Sequence, residues 1–351
     1  MQTDTLIVGG GLAGVYLASR LTNLGQDFLL AEARPRLGGR IATVRQEGGT
    51  YDIGPTWFWP GQPRIAKLVK DLRLTRFDQY AHGDLMYENE QGKPQRGQGF
   101  ASMEGSYRIE GGLTQLIDGL TAKIDAGHVH LSTPITTLSQ TVDGITADLP
   151  NGQFVTARRA VLALPPRLAA QITFAPALPD DAQHTLQSTA TWMAGHAKAV
   201  ALYGRPFWRE AGLSGDAMSR CGPMAEIHDA SPASGGPYAL FGFLSAPPQA
   251  RTNEQALRQL ILSQLARLFG EEAAAPIDLT IKDWAFDPFT ATAQDQEPLY
   301  AHPHYCLPPA LSGLWDGRLI FGGTEVAREF GGYLEGALEA AENALTQLDR
   351  P

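Results

Sequence analysis

Cysteine is scarce: Cys221 and Cys306 are the only two in 351 residues, and they lie far apart. Two such residues supply neither a zinc site nor a disulfide framework, so no metal is expected. They fit a reduced, cytoplasmic setting. Basic residues are outnumbered, with 28 Lys and Arg against 37 Asp and Glu and a formal net charge of -9. Nucleic-acid binding rests on neutralising phosphates with Lys and Arg, so that class of partner is excluded. Long apolar runs are missing. Stretches such as Ala160–Leu164 and Leu319–Phe321 fall far short of the roughly 20 residues that cross a bilayer, and no membrane association is expected. The opening Met1-Gln2-Thr3-Asp4 has no basic region ahead of an apolar stretch, so no secretory signal is expected. Repeats and low-complexity tails are absent. Glycine and proline are plentiful, at 38 and 24 residues, which implies many tight turns. The length suffices for two domains with substantial cores.

The chemistry starts at once. Thr5–Val8 reads as a short buried strand, and Gly9-Gly10-Gly11-Leu12-Ala13-Gly14 follows it, giving G-x-G-x-x-G at Gly9, Gly11 and Gly14. A helix is predicted from about Leu12 to Leu24, because Leu12, Val15, Tyr16, Leu21 and Leu24 recur at helical spacing. Gly25 is placed to end it. Asp27–Ala31 is the second strand, with Glu32 at its end. Gly9 permits the tight turn, Gly11 leaves room for a pyrophosphate, and Gly14 lets helix and strand pack closely. The N–H groups of Leu12 and Ala13, at the helix start, can face the phosphates. Glu32 can accept from an adenosine ribose. This is a dinucleotide-binding unit, and the motif alone does not choose between FAD and NAD.

The next stretch, Glu32-Ala33-Arg34-Pro35-Arg36-Leu37-Gly38-Gly39-Arg40, resembles the second FAD signature of the flavin-containing amine oxidase superfamily, which includes monoamine, polyamine and L-amino-acid oxidases. The resemblance implies an α/β fold: an FAD-binding Rossmann-like domain with a smaller α+β substrate domain. It implies that Gly38 and Gly39 let the chain cross close to the cofactor and that Arg40 brings a cation to the pyrophosphate, with Ala33 and Arg34 beside it.

Further segments carry the same resemblance, well at both ends and thinly in the middle. Gly49–Trp57 is similar to the family's segment under the flavin ring, which assigns Gly54, Pro55, Thr56 and Trp57 to the cofactor. Tyr107–Leu113 is similar to the return into the FAD domain. Ile135, after Pro134, takes the main-chain contact with adenine by analogy. Ile145–Asp148 and Phe154–Thr156 flank Asn151-Gly152, a strong hairpin signal, and Ala160–Leu164 reads as a separate buried strand. The Trp192–Arg209 block implies that Lys198 holds a water against flavin N5, and a lysine in the apolar run Ala197–Leu202 is rare without a task. Lys282–Thr290 matches a Trp-x-x-Asp-Pro-Phe segment that puts Trp284 near the flavin. Gly322-Gly323-Thr324-Glu325 and then Gly331-Gly332-Tyr333-Leu334-Glu335-Gly336-Ala337 follow the family's C-terminal pattern, with Gly322 as the one departure in the first half. Glu325 would accept from the ribityl chain. A helix beginning at Gly332-Tyr333 would turn its positive end to the flavin edge that gains charge on reduction.

The resemblance divides the chain into an FAD domain of residues 1–60, 107–166 and 298–351 and a substrate domain of residues 61–106 and 167–297, with boundaries near Pro60 to Pro63, Pro165-Pro166 and Pro298. It implies hydride transfer from an amine α-carbon to the flavin, an imine that hydrolyses, and reoxidation by dioxygen with release of hydrogen peroxide. Lys198, Trp284 and Tyr333 are the candidate catalytic residues. Tyr333 would form one aromatic wall for the amine, and Tyr300, His302, His304 and Tyr305 are candidates for the other. Cys306 sits too close to Pro308-Pro309 to match the cysteine that bonds FAD in some members, so non-covalent FAD is expected. Thr290–Leu299 lacks the family's Gly-Ala-Tyr run, so that part of the substrate wall is left open, as is a homodimer. Two rivals stand: another oxidoreductase on the same framework (a desaturase, a protoporphyrinogen oxidase or a nicotinamide-oxidising enzyme) and a non-catalytic FAD protein.

Overall fold

The computed structural model describes residues 1–297, 299 and 301–349. The expected boundary at Pro298 and the candidate wall residue Tyr300 lie outside the described residues.

The first sheet is built around the opening strand, Gln2–Val8, whose last four residues are buried. It pairs in parallel with Phe28–Ala31 on one side and with Phe154–Leu162 on the other. Strands buried on both faces read as continuous apolar runs, which is why Leu6-Ile7-Val8 and Phe28-Leu29-Leu30 were legible. The first helix spans Leu12–Leu24 and ends at Gly25, which sits in the left-handed region at φ 66. It packs against the terminal helix, Leu334–Leu348, through a core that includes Val15, Leu338 and Ala341.

Two expectations change here. Phe154–Thr156 and Ala160–Leu162 are not separate strands but parts of one, Phe154–Leu162, and Ala163 and Leu164 lie beyond its end. Arg158 and Arg159 break the apolar pattern without breaking the pairing. The first part of that strand pairs with Ile145–Asp148, and the last part pairs with Leu319–Phe321. The chain also leaves this sheet later than Pro165-Pro166. Thr173–Ala175 still pairs with Thr137–Gln140, and Ala182 and Leu186 of the following helix fill the core beneath.

The second sheet has seven strands in the order Asp278–Asp283, Ala197–Tyr203, Tyr238–Leu244, Met224–Asp229, Leu213–Ser219, Asp84–Glu88 and Pro94–Arg96. Side chains alternate between its two faces. Ala199, Ala201, Leu240 and Ile227 face the helix Glu254–Phe269, which Asn253 caps by accepting from the Ala256 N–H. Val200, Leu202, Ala239 and Phe241 face the other way, onto Tyr51 and Trp57. That second face looks towards the cavity between the sheets.

Candidate active site

A cavity of about 850 Å³ runs from the glycine turn to the second sheet. At one end Gly9 adopts φ 107, which only glycine takes readily, and Gly11 ends the turn as the cap residue of the first helix. No side chain caps that helix, so its first N–H groups are left to a ligand. A Cβ added to Gly11 would meet no protein atom within 4 Å, so the space beside it is cavity. Glu32 is fixed by the N–H groups of Gly10 and Arg34, at 2.7 and 2.8 Å, one on each carboxylate oxygen. Each oxygen retains a lone pair for a ribose hydroxyl.

Of the residues singled out from sequence, Gly9, Gly11, Leu12, Ala13, Glu32, Ala33, Arg34, Gly38, Gly39, Arg40, Gly54, Pro55, Thr56, Trp57, Ile135, Lys198, Trp284, Gly323, Gly332, Tyr333 and Leu334 all line this one cavity. Gly14 and Glu325 stand behind its wall. Gly14 is pressed against the Gly9 carbonyl, as the close strand–helix crossing requires. Glu325 is buried, with the Arg40 guanidinium 2.8 Å away, yet neither of its oxygens has a well-formed hydrogen bond. A buried carboxylate in that state is an acceptor waiting for a donor. These features fit FAD: an uncapped helix start, a glycine without a neighbour at its Cβ position, and an unsatisfied buried acid.

Arg34 departs from a cofactor contact through its guanidinium. That group bonds Asp287 and Thr290, so it ties the first sheet's loop to the segment carrying Trp284.

At the other end Lys198 is 6% exposed and donates to the Gly54 carbonyl. Burial pulls its ammonium down to about 8, with Asp52 opposing that shift. Burial likewise pushes the Asp52 carboxyl up to about 6. His196, two positions before Lys198 on the cavity wall, is pulled down to about 4 by burial, by Lys198 and by Arg251, so it is neutral. Trp284 donates from its indole to the Ile53 carbonyl at 3.0 Å, and the Trp57 indole donates to Gln79 at 2.7 Å.

The expected second aromatic wall is corrected. His302 does not stand across a gap from Tyr333: the rings are stacked with centroids 5.0 Å apart, which leaves no room for a ligand between them. Tyr305 is buried, its hydroxyl accepting from the Trp192 N–H and donating to the Ala190 carbonyl. His304 is exposed. None of these three lines the cavity. Tyr333 is 37% exposed and offers one open face, backed by His302.

Sequence reasoning gave no role to Glu226, Phe243, Trp192, Met193, His196 or Met103, all of which line the cavity. Glu226 has the greatest consequence. Lys198 pairs with Phe243, and Phe243 pairs with Glu226, across three neighbouring strands. Paired residues share a face, so the three side chains form a row, with Lys198 and Glu226 about 10 Å apart at the backbone. A register shift between Met224 and Glu226 turns Glu226 onto that face. No spacing in the sequence announces a bulge.

A dinucleotide site on parallel strands, facing a second sheet that presents a buried lysine, with Trp57 and Trp284 on the segments beside it, defines a two-part nucleotide-cofactor oxidoreductase. Comparison with known proteins narrows the class. The profile for flavin containing amine oxidoreductases matches residues 93–347, and that for an NAD(P)-binding Rossmann-like domain matches residues 7–72. The chain belongs to the flavin containing amine oxidoreductase family, and it is an FAD-dependent amine oxidase. It is 22% identical to a probable flavin-containing monoamine oxidase A of Dictyostelium discoideum, over 96% of this chain and 95% of that protein. It is 24% identical to amine oxidase A of Sus scrofa, over 99% of this chain and 85% of that one. Its fold matches a putrescine oxidase solved with putrescine bound (TM-score 0.85, 21% identity, all of both chains). It also matches a cyclohexylamine oxidase from Brevibacterium oxydans (TM-score 0.79, 20% identity, 99% of this chain and 98% of that one).

Proposed function

We propose that this amine oxidase acts on short amines that carry a second cationic group, with Glu226 as the anchor for that group. The row Lys198–Phe243–Glu226 carries the reading. Glu226 is an acid at the second-sheet end of the cavity, with a side chain 27% exposed. Phe243 lies between it and Lys198 and offers an apolar surface to a methylene chain. Tyr333 offers an aromatic face that attracts the reacting amine. The putrescine bound to the structural neighbour is such a diamine.

FAD held in this cavity would supply the redox chemistry: the hydride from the amine α-carbon would go to the flavin, and its electrons would return to dioxygen, released as hydrogen peroxide. Gly9, Gly11, Leu12 and Ala13 hold its phosphates, Glu32 its ribose, Ile135 its adenine and Glu325 its ribityl chain. Trp57 and Trp284 line the cavity and would lie near the ring. The amine gives up its proton as it enters from the Tyr333 face, because an apolar site disfavours a buried ammonium that has no partner. Both cysteines are free and neither lines the cavity, which supports non-covalent FAD and a reducing, cytoplasmic location. No helix among the described residues is long and apolar enough to cross a membrane.

Anaerobic titration of the yellow holoprotein with putrescine and with butylamine tests the reading. Both should bleach the flavin, putrescine at lower concentration. Glu226→Gln should cut the putrescine-to-butylamine ratio of kcat/KM by at least about tenfold, the equivalent of about 1.4 kcal/mol. If no amine bleaches the flavin, the oxidase assignment fails for this chain. A ratio untouched by Glu226→Gln removes the anchor alone.

A further inference from the structure

Behind Glu226 lies a group that the reaction itself does not use. His228 is on the same strand and the same face, two positions on, and is 1% exposed. Its Nδ1 lies 2.7 Å from Asp216 Oδ1, and its Nε2 lies 2.9 Å from Glu226 Oε1. Asp216 comes from the neighbouring strand Leu213–Ser219 and is itself buried. Both ring nitrogens therefore face carboxylates. A neutral imidazole has one N–H and can satisfy only one of them; an imidazolium satisfies both. Ser102, from the loop that follows Pro94–Arg96, also donates to Glu226 Oε1. Among the described residues, Glu226 Oε2 has no protein partner.

We propose that His228, clamped by Asp216, is the positioning residue that holds Glu226 ionised with one oxygen turned to the cavity, and so sets the preference for dicationic amines. This rests on the reading of Glu226 given above. Two aromatic rings close the site around the imidazole, Trp57 in a T-shaped arrangement at 5.2 Å and Phe243 at 6.4 Å, and the Lys198 ammonium lies over the Phe243 ring. Asp229, the next residue on the strand, points to the opposite face, where Arg209 and Trp208 hold it. No cation other than His228 bonds Glu226 among the described residues. Burial alone would discharge His228, but its two carboxylate bonds outweigh burial and push it up. Burial would raise Glu226, but the bonds from His228 and Ser102 outweigh that and bring it down.

The test is the pH dependence of the putrescine-to-butylamine ratio of kcat/KM, which cancels protonation of the reacting amine. The parent should keep its preference to the acid end of the range. His228→Gln should lose it at a pH higher by at least about one unit, a tenfold change in proton concentration. The loss should appear in KM for putrescine more than in kcat, with FAD still bound by its visible absorption. Asp216→Asn should move the same limb in the same direction, because His228 then loses the carboxylate that holds its second proton. It also decides the matter alone if His228→Gln fails to load FAD. A limb unmoved in the loaded variants, while Glu226→Gln still flattens the ratio, overturns the proposal and leaves the anchor standing. If Glu226→Gln does not change the ratio, the anchor fails and this inference falls with it.

Discussion

Lys198→Met should leave FAD bound while slowing flavin reduction or reoxidation by at least about tenfold in stopped-flow absorbance. The expectation starts from burial. A lysine in a seven-residue strand that is buried throughout either has a task or costs stability for nothing. One of its three N–H groups goes to the Gly54 carbonyl, in the segment that lines the cavity ahead of Trp57. The other two are free to hold a water, which methionine cannot do at the same volume. The pH dependence carries a sign. Burial lowers the ammonium to about 8, so Lys198 is a cation below that pH and a neutral amine above it. The parent should show an inflection near pH 8 in the step that Lys198 serves, and the variant should lack it. Equal rates and equal profiles would remove Lys198 from the site.

How much of this was legible before the fold was known depends on where each signal sits along the chain. The glycine turn, the first helix and Glu32 were legible because a strand, a turn and a helix that bind phosphate are contiguous. Their physical demands fall on neighbouring residues. Lys198 was legible for a different reason: a charge in an apolar strand contradicts its surroundings and asks for an explanation. Glu226 contradicts nothing. It sits in a strand whose burial alternates irregularly, and only a bulge decides which way it points. The Asp216–His228 pair is likewise a cross-strand contact, and cross-strand contacts are set by register, which a single sequence does not state. The aromatic wall failed for a related reason. Whether His302 faces Tyr333 across a gap or lies flat against it is a matter of a few ångströms, and no spacing in the sequence states it. Arg34 shows the converse case, where a residue in a recognised cofactor loop spends its guanidinium on Asp287 and Thr290 of another segment.

Gly11→Ala and Gly14→Ala should separate binding from folding, although the two glycines lie within one turn of the same helix. Gly11 has φ -70, ordinary for any residue, and an added Cβ meets no protein atom within 4 Å. The fold therefore has no reason to object, and the midpoint of thermal unfolding of the apoprotein should stay close to that of the parent. The methyl would instead occupy the space where the backbone comes closest to the pyrophosphate, so FAD affinity should fall by about 100-fold or more, near 3 kcal/mol. Gly14 is the opposite case. Its Cβ would come within 1.9 Å of the Gly9 carbonyl oxygen and 3.3 Å of the Ala163 side chain, and the first of these is backbone with no rotamer to turn aside. Helix and strand must part, which overpacks the core and costs at least about 1–3 kcal/mol of stability. Because the same movement spoils the turn at Gly9, FAD binding should be lost as well. Thermal unfolding of the apoproteins and FAD titration by fluorescence quenching read the two effects separately. Equal loss of stability in both variants would mean that Gly11 is packed against protein rather than facing cofactor space.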